Sequence, residues 1–155
     1  MDGGAAEKQH LYVKAAADEF LDTPSCNTRS SGCDVLWSGT GTPLLTVPGE
    51  KMGSRVAASL TAAIGCPHTI ARNEDDYAEI AVTLGGEAGS LRLRHTKDCV
   101  RKGKREAPLF DTALWVADQE RALFMASEIA FAYTSTTEPG AKDFHIITSP
   151  STSHR

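Results

Sequence analysis

The amino-acid sequence predicts an α/β fold with a short parallel sheet, flanking helices and a helical C-terminal end. Two short apolar runs that read as strands, Glu19–Asp22 and Leu44–Val47, are each followed by a helix-forming segment. Strands that alternate with helices favour a parallel sheet, because parallel neighbours need a long crossover connection. Right-handed crossovers place the loops after the strands along one sheet edge, which is where ligands bind in such folds.

The composition limits the class of protein. The 155 residues include 41% hydrophobic and 23% charged residues, which is typical of one globular domain. The net charge of −4 gives no general attraction to nucleic acid or to anionic lipid, so neither is expected as a partner. We find no apolar run long enough for a membrane span and no pattern of a secretory signal. The four cysteines form no C-x-x-C pair, which predicts reduced thiols and no metal site.

The segments around the first strand alternate between helix and loop. A helical piece is expected near Lys8–Ala17, ahead of the strand, and a polar loop follows the strand. A short helix is then predicted over Gly32–Ser38, and the second strand is ended by Pro48 and Gly49.

A clear helix follows the second strand, because five apolar residues share one helical face: Met52, Val56, Leu60, Ala63 and Ile64. Gly65 occupies the position that usually follows a helix end, and Pro67 prevents continuation. The segment His68–Arg72 is short and could form a small strand.

Asn73 is predicted to cap the next helix, whose first turn holds three acidic residues that the helix dipole favours. Gly85 is expected to end this helix. Its buried stripe consists of Tyr77, Ile80, Ala81 and Leu84.

The last third of the sequence predicts two further helices. A basic, weakly amphipathic helix is expected over Leu91–Arg105, and Pro108 breaks it. Asp111 or Thr112 can cap a final long helix. One side of that helix carries Trp115, Ala122, Met125, Ala126, Ile129 and Tyr133. From Thr134 the chain is rich in Ser, Thr and Pro, and we expect much of this tail to be mobile.

The loop after the first strand has the chemistry of an anion site. A helix that starts near Ser31 points free N–H groups outward, with about half a positive charge at its end. Ser30 and Ser31 add hydroxyl donors, and Gly32 removes a side chain where a ligand would approach the backbone. Asp34 lies one turn further on the same face and could accept hydrogen bonds from two ribose hydroxyls.

The same residues also have a purely structural interpretation. The pattern Ser31-x-x-Asp34 before an apolar run is close to a capping box, which satisfies N–H groups at a helix start. Both interpretations stay open, since a capped helix still offers its other N–H groups. The basic run Arg92–Arg105 could bind a polyanion, but the lack of interleaved aromatic residues favours a solvated helix face. His10 could contact a base, act as an acid or base, or be an ordinary surface histidine.

Four stretches together resemble the C-terminal catalytic lobe of protein O-linked N-acetylglucosamine (O-GlcNAc) transferases. They read LDTPSCNTRSSGCDVLW, GTPLLTVPGEKMGSRVAASL, IGCPHTIARNEDDYAEIAVTLG and APLFDTALWVADQERALFM. The likeness covers roughly Ala5 to Ile147, and its most specific part is the stretch Pro48–Ser59.

The resemblance implies a GT-B glycosyltransferase with two Rossmann-like lobes, of which the C-terminal lobe holds the donor UDP-N-acetylglucosamine. Residues 1–133 would be a fragment of that lobe and residues 134–155 the mobile tail. The family inverts at the sugar, needs no metal or cofactor, and modifies Ser and Thr of nuclear and cytosolic proteins. A nuclear or cytoplasmic location is therefore implied.

The resemblance also implies a set of UDP-binding residues. The hydroxyl pair that contacts the diphosphate falls on Ser30 and Ser31, the ribose-binding carboxylate on Asp34 and the uracil-contacting histidine on His10. Arg29 stands where the family usually has a histidine, and an arginine could pair with the diphosphate as a fixed charge.

Other parts of the family pattern are altered or absent. Glu7 stands where the family has a lysine, with Lys8 beside it. No residue of this sequence is assigned a catalytic role, since the N-terminal lobe, the helical repeats and an upstream lysine have no counterpart in it. We therefore expect donor binding without turnover. The alternatives are a fragment of a Spindly-type protein O-fucosyltransferase, which uses a guanosine donor, and a non-catalytic nucleotide-binding or interaction remnant.

Overall fold

A computed structural model describes residues 9–14, 16–86 and 90–134. The tail expected to be mobile lies outside these residues beyond position 134, and so do Glu7 and Lys8. The chain divides into two compact units, one ending at Phe110 and the other beginning at Asp111. Among the described residues no helix is long and apolar enough to cross a membrane.

The first unit contains two strands and five helices within its described residues. They are, in chain order, α1 (residues 9–14), β1 (Phe20–Leu21), α2 (Ser30–Trp37), β2 (Leu44–Leu45), α3 (Val56–Ala63), α4 (Glu74–Gly85) and α5 (Ser90–Glu106). Short 3-10 turns cover Met52–Ser54, Pro67–Thr69 and Pro108–Phe110. The second unit contains the long helix α6 (Thr112–Thr134).

The two strands form a short parallel sheet, so the predicted α/β class is confirmed. Phe20 pairs with Leu44 and Leu21 with Leu45, and one further parallel bridge joins Thr46 to Ile70. The strands are shorter than the apolar runs that predicted them. The possible small strand His68–Arg72 is reduced to the bridge at Ile70, because a 3-10 turn begins at Pro67, whose ring fixes φ and removes an N–H donor.

Helices cover the sheet through two buried clusters. One consists of Leu36, Leu44, Ala57, Ile64, Cys66 and Val100, contributed by α2, β2, α3 and α5 and by the residues that follow α3. The other consists of Leu45, Val47, Ala71, Ile80 and Leu84, with α4 as its helix. Because successive strand residues point to opposite faces, the adjacent Leu44 and Leu45 supply one cluster each.

Local signals gave correct ends for three helices. The Asn73 side chain accepts a hydrogen bond from the Asp76 amide at 2.9 Å and caps α4. Gly65 follows α3 with a φ of +85°, a conformation that glycine adopts without strain. The Asp111 side chain accepts a hydrogen bond from the Leu114 amide at 2.9 Å at the start of α6, so Asp111 rather than Thr112 is the cap.

One packing prediction was wrong. Met52 lies in a 3-10 turn ahead of α3 and is 82% exposed, so it does not extend the buried face of that helix. On α6, Ala122, Ala126 and Ile129 are partly covered, whereas Trp115 is 62% exposed.

The expectation of reduced thiols is also wrong in part. Cys66, just after α3, and Cys99, on α5, form a disulfide with Cα atoms 6.1 Å apart. The packing of α5 beside the end of α3 creates this proximity, which sequence spacing does not reveal. Cys26 and Cys33 are free.

Candidate functional site

The loop that follows β1 is anchored by the buried carboxylate of Asp22, which is 3% exposed. Its Oδ1 accepts a hydrogen bond from the Thr28 amide at 2.6 Å, and its Oδ2 accepts one from the Thr46 hydroxyl at 2.8 Å. The Tyr77 hydroxyl donates to the Asp22 carbonyl at 2.9 Å. One residue therefore joins the end of β1 to the neighbouring strand, to α4 and to the end of its own loop.

Asn27 provides a second anchor and ties this loop to the one after β2. Its backbone N–H donates to the Gly53 carbonyl at 2.8 Å, and its side-chain oxygen accepts from the backbone N–H of Ala57 at 3.3 Å. The side-chain nitrogen donates to the Thr23 carbonyl at 2.9 Å. The loops that follow the two strands are thus held together at the carboxyl edge of the sheet, as the α/β topology predicts.

The start of α2 faces solvent at this edge. The helix begins at Ser30, two residues earlier than predicted, and Arg29 is its N-cap residue without a side-chain capping hydrogen bond. Arg29, Ser30 and Ser31 are all exposed. A helix start of this kind offers N–H donors and the positive end of the helix dipole to an anion.

The capping-box interpretation of Ser31 and Asp34 is wrong. Ser31 lies inside the helix rather than at the N-cap, and the Asp34 side chain contacts Lys14 and His10 of α1. The physical reason is that the helix starts at Ser30, so Ser31 already has helical backbone geometry and cannot serve as an N-cap.

Gly32 has a packing role instead of the predicted ligand-approach role. It is buried, and a Cβ added there would lie 2.7 Å from Thr28 Cγ2 and 3.2 Å from Leu60 Cδ1. The absence of a side chain lets α2 pack closely on its own loop and on α3. The prediction that Gly32 opens space for a ligand is therefore wrong.

Asp34 lies beside His10, and the resemblance assigns these two positions to the ribose and to the uracil respectively. The two residues lie on different helices, and His10 Nε2 is 3.5 Å from Asp34 Oδ2. Lys14, one turn after His10 on α1, donates to the same Oδ2 at 2.7 Å. Sequence reasoning missed Lys14, although its spacing of four residues from His10 puts both on one helical face.

The guanidinium of Arg29 lies near the loop that follows β2. A Cβ added at Gly53 would lie 3.9 Å from Arg29 Nη2, so the guanidinium lies beside this glycine. The structure therefore places Arg29, Ser30 and Ser31 at one helix start, with Asp34 and His10 beyond it on the adjoining turn and on α1.

The free thiol of Cys33, next to Asp34 in the sequence, is not activated as a nucleophile. Burial raises the pKa of Cys33, and the negative charge of Asp34 raises it further. A thiol with a raised pKa remains protonated at neutral pH, and the thiolate is the nucleophilic form.

The amino-acid sequence matches a known family of glycosyltransferases over most of its length. Residues 2–119 match the family described as Glycosyl transferase family 41, and the chain belongs to that family. The match covers both strands and helices α1 to α5 of the described structure.

Several curated relatives are similar to this chain. A probable UDP-N-acetylglucosamine–peptide N-acetylglucosaminyltransferase of Arabidopsis thaliana, named SEC, is 41% identical over 121 residues, which are 77% of this chain and 12% of that protein. A UDP-N-acetylglucosamine–peptide N-acetylglucosaminyltransferase of Caenorhabditis elegans is 40% identical over 119 residues, 77% of this chain and 10% of that protein. A protein of Eustoma exaltatum is named as a probable UDP-N-acetylglucosamine–peptide N-acetylglucosaminyltransferase SPINDLY. It is 31% identical over 112 residues, which are 72% of this chain and 12% of that protein.

Similarity also extends to a solved structure. A mutant O-GlcNAc transferase of Thermobaculum terrenum matches with a TM-score of 0.66 and 26% identity, over 74% of this chain and 21% of that chain. This likeness confirms the expected partial C-terminal lobe of a GT-B fold. The chain thus spans only about a tenth of the length of the first two relatives.

Proposed function

We propose that this chain is the donor-binding part of an inverting protein O-GlcNAc transferase and holds the UDP of UDP-N-acetylglucosamine. The observation that carries the proposal is the pairing of Asp34 with His10 beside the start of α2, at 3.5 Å between Nε2 and Oδ2. This pairing joins two positions that the family resemblance assigns to the ribose and to the base.

Each group of the donor then has a chemical counterpart. The diphosphate binds at the start of α2, where backbone N–H groups, Ser30, Ser31 and the Arg29 guanidinium are exposed. Asp34 accepts hydrogen bonds from the ribose hydroxyls, and His10 contacts the uracil. During transfer, the same donors stabilise the negative charge that develops on the departing UDP, without a metal ion.

The acceptors are Ser and Thr hydroxyls of nuclear or cytoplasmic proteins. They would be presented by regions of the longer relatives that this chain does not span. Since transfer needs groups from both lobes in a near-attack arrangement, the chain alone binds the donor and does not turn over. The 41% identity to the SEC protein against 31% to a SPINDLY protein favours this reading over a Spindly-type fucosyltransferase.

Isothermal titration calorimetry with UDP and GDP tests the proposal on the 155-residue chain. We expect UDP to bind more tightly than GDP. Asp34→Asn should weaken UDP binding by about 1–3 kcal/mol, the usual cost of losing a hydrogen bond to a charged group. The melting temperature should change little, because the ion pairs of this partly exposed carboxylate contribute little to stability.

The matched control is Asp98→Asn on α5, which removes an exposed carboxylate paired with Arg101 at 2.6 Å. It should leave UDP affinity unchanged. Equal affinities of the Asp34→Asn and Asp98→Asn variants would contradict the ribose role. A clear GDP preference would favour the fucosyl branch. Time-dependent incorporation from labelled UDP-N-acetylglucosamine into a Ser/Thr-rich peptide would contradict the expected lack of turnover.

A further inference from the structure

We propose that Lys14 is a positioning residue for the nucleotide, acting through the Asp34 carboxylate. This inference rests on the proposed function, because it takes Asp34 as the ribose acceptor. In the structure Lys14 Nζ lies 2.7 Å from Asp34 Oδ2. Neither the sequence patterns nor the family resemblance singled out this lysine.

The first argument is geometric. The Lys14 side chain is 13% exposed, whereas the side chains of Asp34 and His10 are 38% and 59% exposed. The lysine is therefore the covered member of the group, behind a carboxylate that solvent can reach. Lys14 and His10 both contact Oδ2, so the carboxylate is oriented with Oδ1 as the oxygen that can accept from a ligand.

The second argument concerns charge. A carboxylate one turn inside a diphosphate-binding helix repels the ligand that this helix attracts. Charges separated by several ångströms at a protein surface interact significantly, because the effective dielectric is well below that of water. The Lys14 ammonium neutralises Asp34, so the carboxylate can accept from a diol without opposing the neighbouring anion.

A second lysine pair offers a matched comparison. Lys97, on α5, donates to Asp18 Oδ1 at 2.6 Å, and its side chain is 17% exposed. This pair has nearly the same length and lysine burial as the Lys14–Asp34 pair, although the Asp18 side chain is 76% exposed and that of Asp34 38%. Asp18 precedes β1 and does not lie on α2. A merely structural contribution should therefore be similar for both lysines, whereas an effect on the nucleotide should be confined to Lys14.

The experiment compares Lys14→Met with Lys97→Met in the full chain, by calorimetry with UDP and with UMP and by thermal melting. We expect Lys14→Met to weaken UDP binding about tenfold, which corresponds to roughly 1.4 kcal/mol. UMP, with one phosphate fewer, should be affected less. Lys14→Arg should restore most of the affinity, since it retains the charge. Lys97→Met should leave both affinities unchanged.

A double variant tests whether Lys14 acts through Asp34. In the Asp34→Asn background, Lys14→Met should cause much less than its usual loss of UDP affinity, because its carboxylate partner is gone. Equal UDP affinity of Lys14→Met and Lys97→Met would overturn the inference, as would tighter binding, which would mean that the ammonium competes with the ribose. Absence of UDP binding by the unsubstituted chain would instead overturn the proposed function, and this inference with it.

Discussion

The carboxylate of Asp22 can be altered in two ways that separate its charge from its hydrogen bonds. Asp22→Ala deletes both acceptor oxygens that hold the loop. Asp22→Asn keeps one oxygen for the Thr28 amide, while its new N–H group can donate to the Thr46 hydroxyl, which then acts as acceptor. The alanine variant therefore breaks the network, and the asparagine variant preserves it without the charge.

The expected loss of stability follows from the two hydrogen bonds that the Asp22 carboxylate accepts. They are 2.6 Å and 2.8 Å long, and Asp22 is only 3% exposed. A hydrogen bond to a charged group contributes about 1.5–3 kcal/mol, so the loss of both bonds in Asp22→Ala should lower the free energy of unfolding by about 3–6 kcal/mol. A typical domain has about 5–15 kcal/mol in total. Asp22→Asn should cost less than about 1.5 kcal/mol, because both contacts persist.

Urea unfolding followed by far-UV circular dichroism measures these differences. Asp98→Ala on exposed α5 surface is the control and should stay within about 0.5 kcal/mol of the unsubstituted chain. An Asp22→Ala variant within about 1 kcal/mol of the unsubstituted chain would refute the role of this carboxylate as a loop anchor. If Asp22→Asn were as damaging as Asp22→Ala, the charge rather than the hydrogen-bond network would be the stabilising feature.

Two further substitutions test local features. Gly32→Ala should lower the free energy of unfolding by about 1–2 kcal/mol in urea titrations, because the overpacking cost exceeds the gain in helix propensity. The added methyl group would lie 2.7 Å from the nearest side-chain carbon. A variant more stable than the unsubstituted chain would contradict this packing role. Hydrogen bonds from Arg72 lower the pKa of Asp76 from 3.8 to about 2. These bonds therefore stabilise the fold fully at pH values above 3.8, and the stabilisation is lost as the pH falls toward about 2. Asp76→Asn should therefore lower the melting temperature at neutral pH and converge with the unsubstituted chain near pH 2, and a difference that persists there would contradict the linkage.

The candidate site was only partly predictable from the sequence. His10, Arg29, Ser30, Ser31 and Asp34 were named as UDP-binding positions, and the structure brings His10 and Asp34 into contact. The roles assigned to these residues stay predictions, since no ligand contact tests them. Sequence reasoning missed Asp22 and Lys14. A carboxylate directly after an apolar strand, and a lysine four residues after a candidate histidine, were available signals for both.

The sequence by itself determined the features that depend on neighbouring residues. The Asn73 cap, the acidic first turn and the buried stripe of α4 follow from hydrogen bonds and side-chain spacing within a few residues, and Gly65 follows from the backbone conformation after α3. The alternation of apolar runs with helices likewise determined the α/β class, because the side-chain period distinguishes strand from helix locally.

Tertiary structure decided the features that depend on distant partners. Each strand has only the two residues that find a ladder partner, although the apolar runs are longer. Gly32 became a packing residue because Thr28 and Leu60 occupy the space above it, and Cys66 and Cys99 became bonded because α5 lies beside the end of α3. Asp34 pairs with Lys14, twenty residues earlier in the chain, rather than capping its own helix. Such contacts form between segments that only the folded chain brings together, so spacing along the sequence does not specify them.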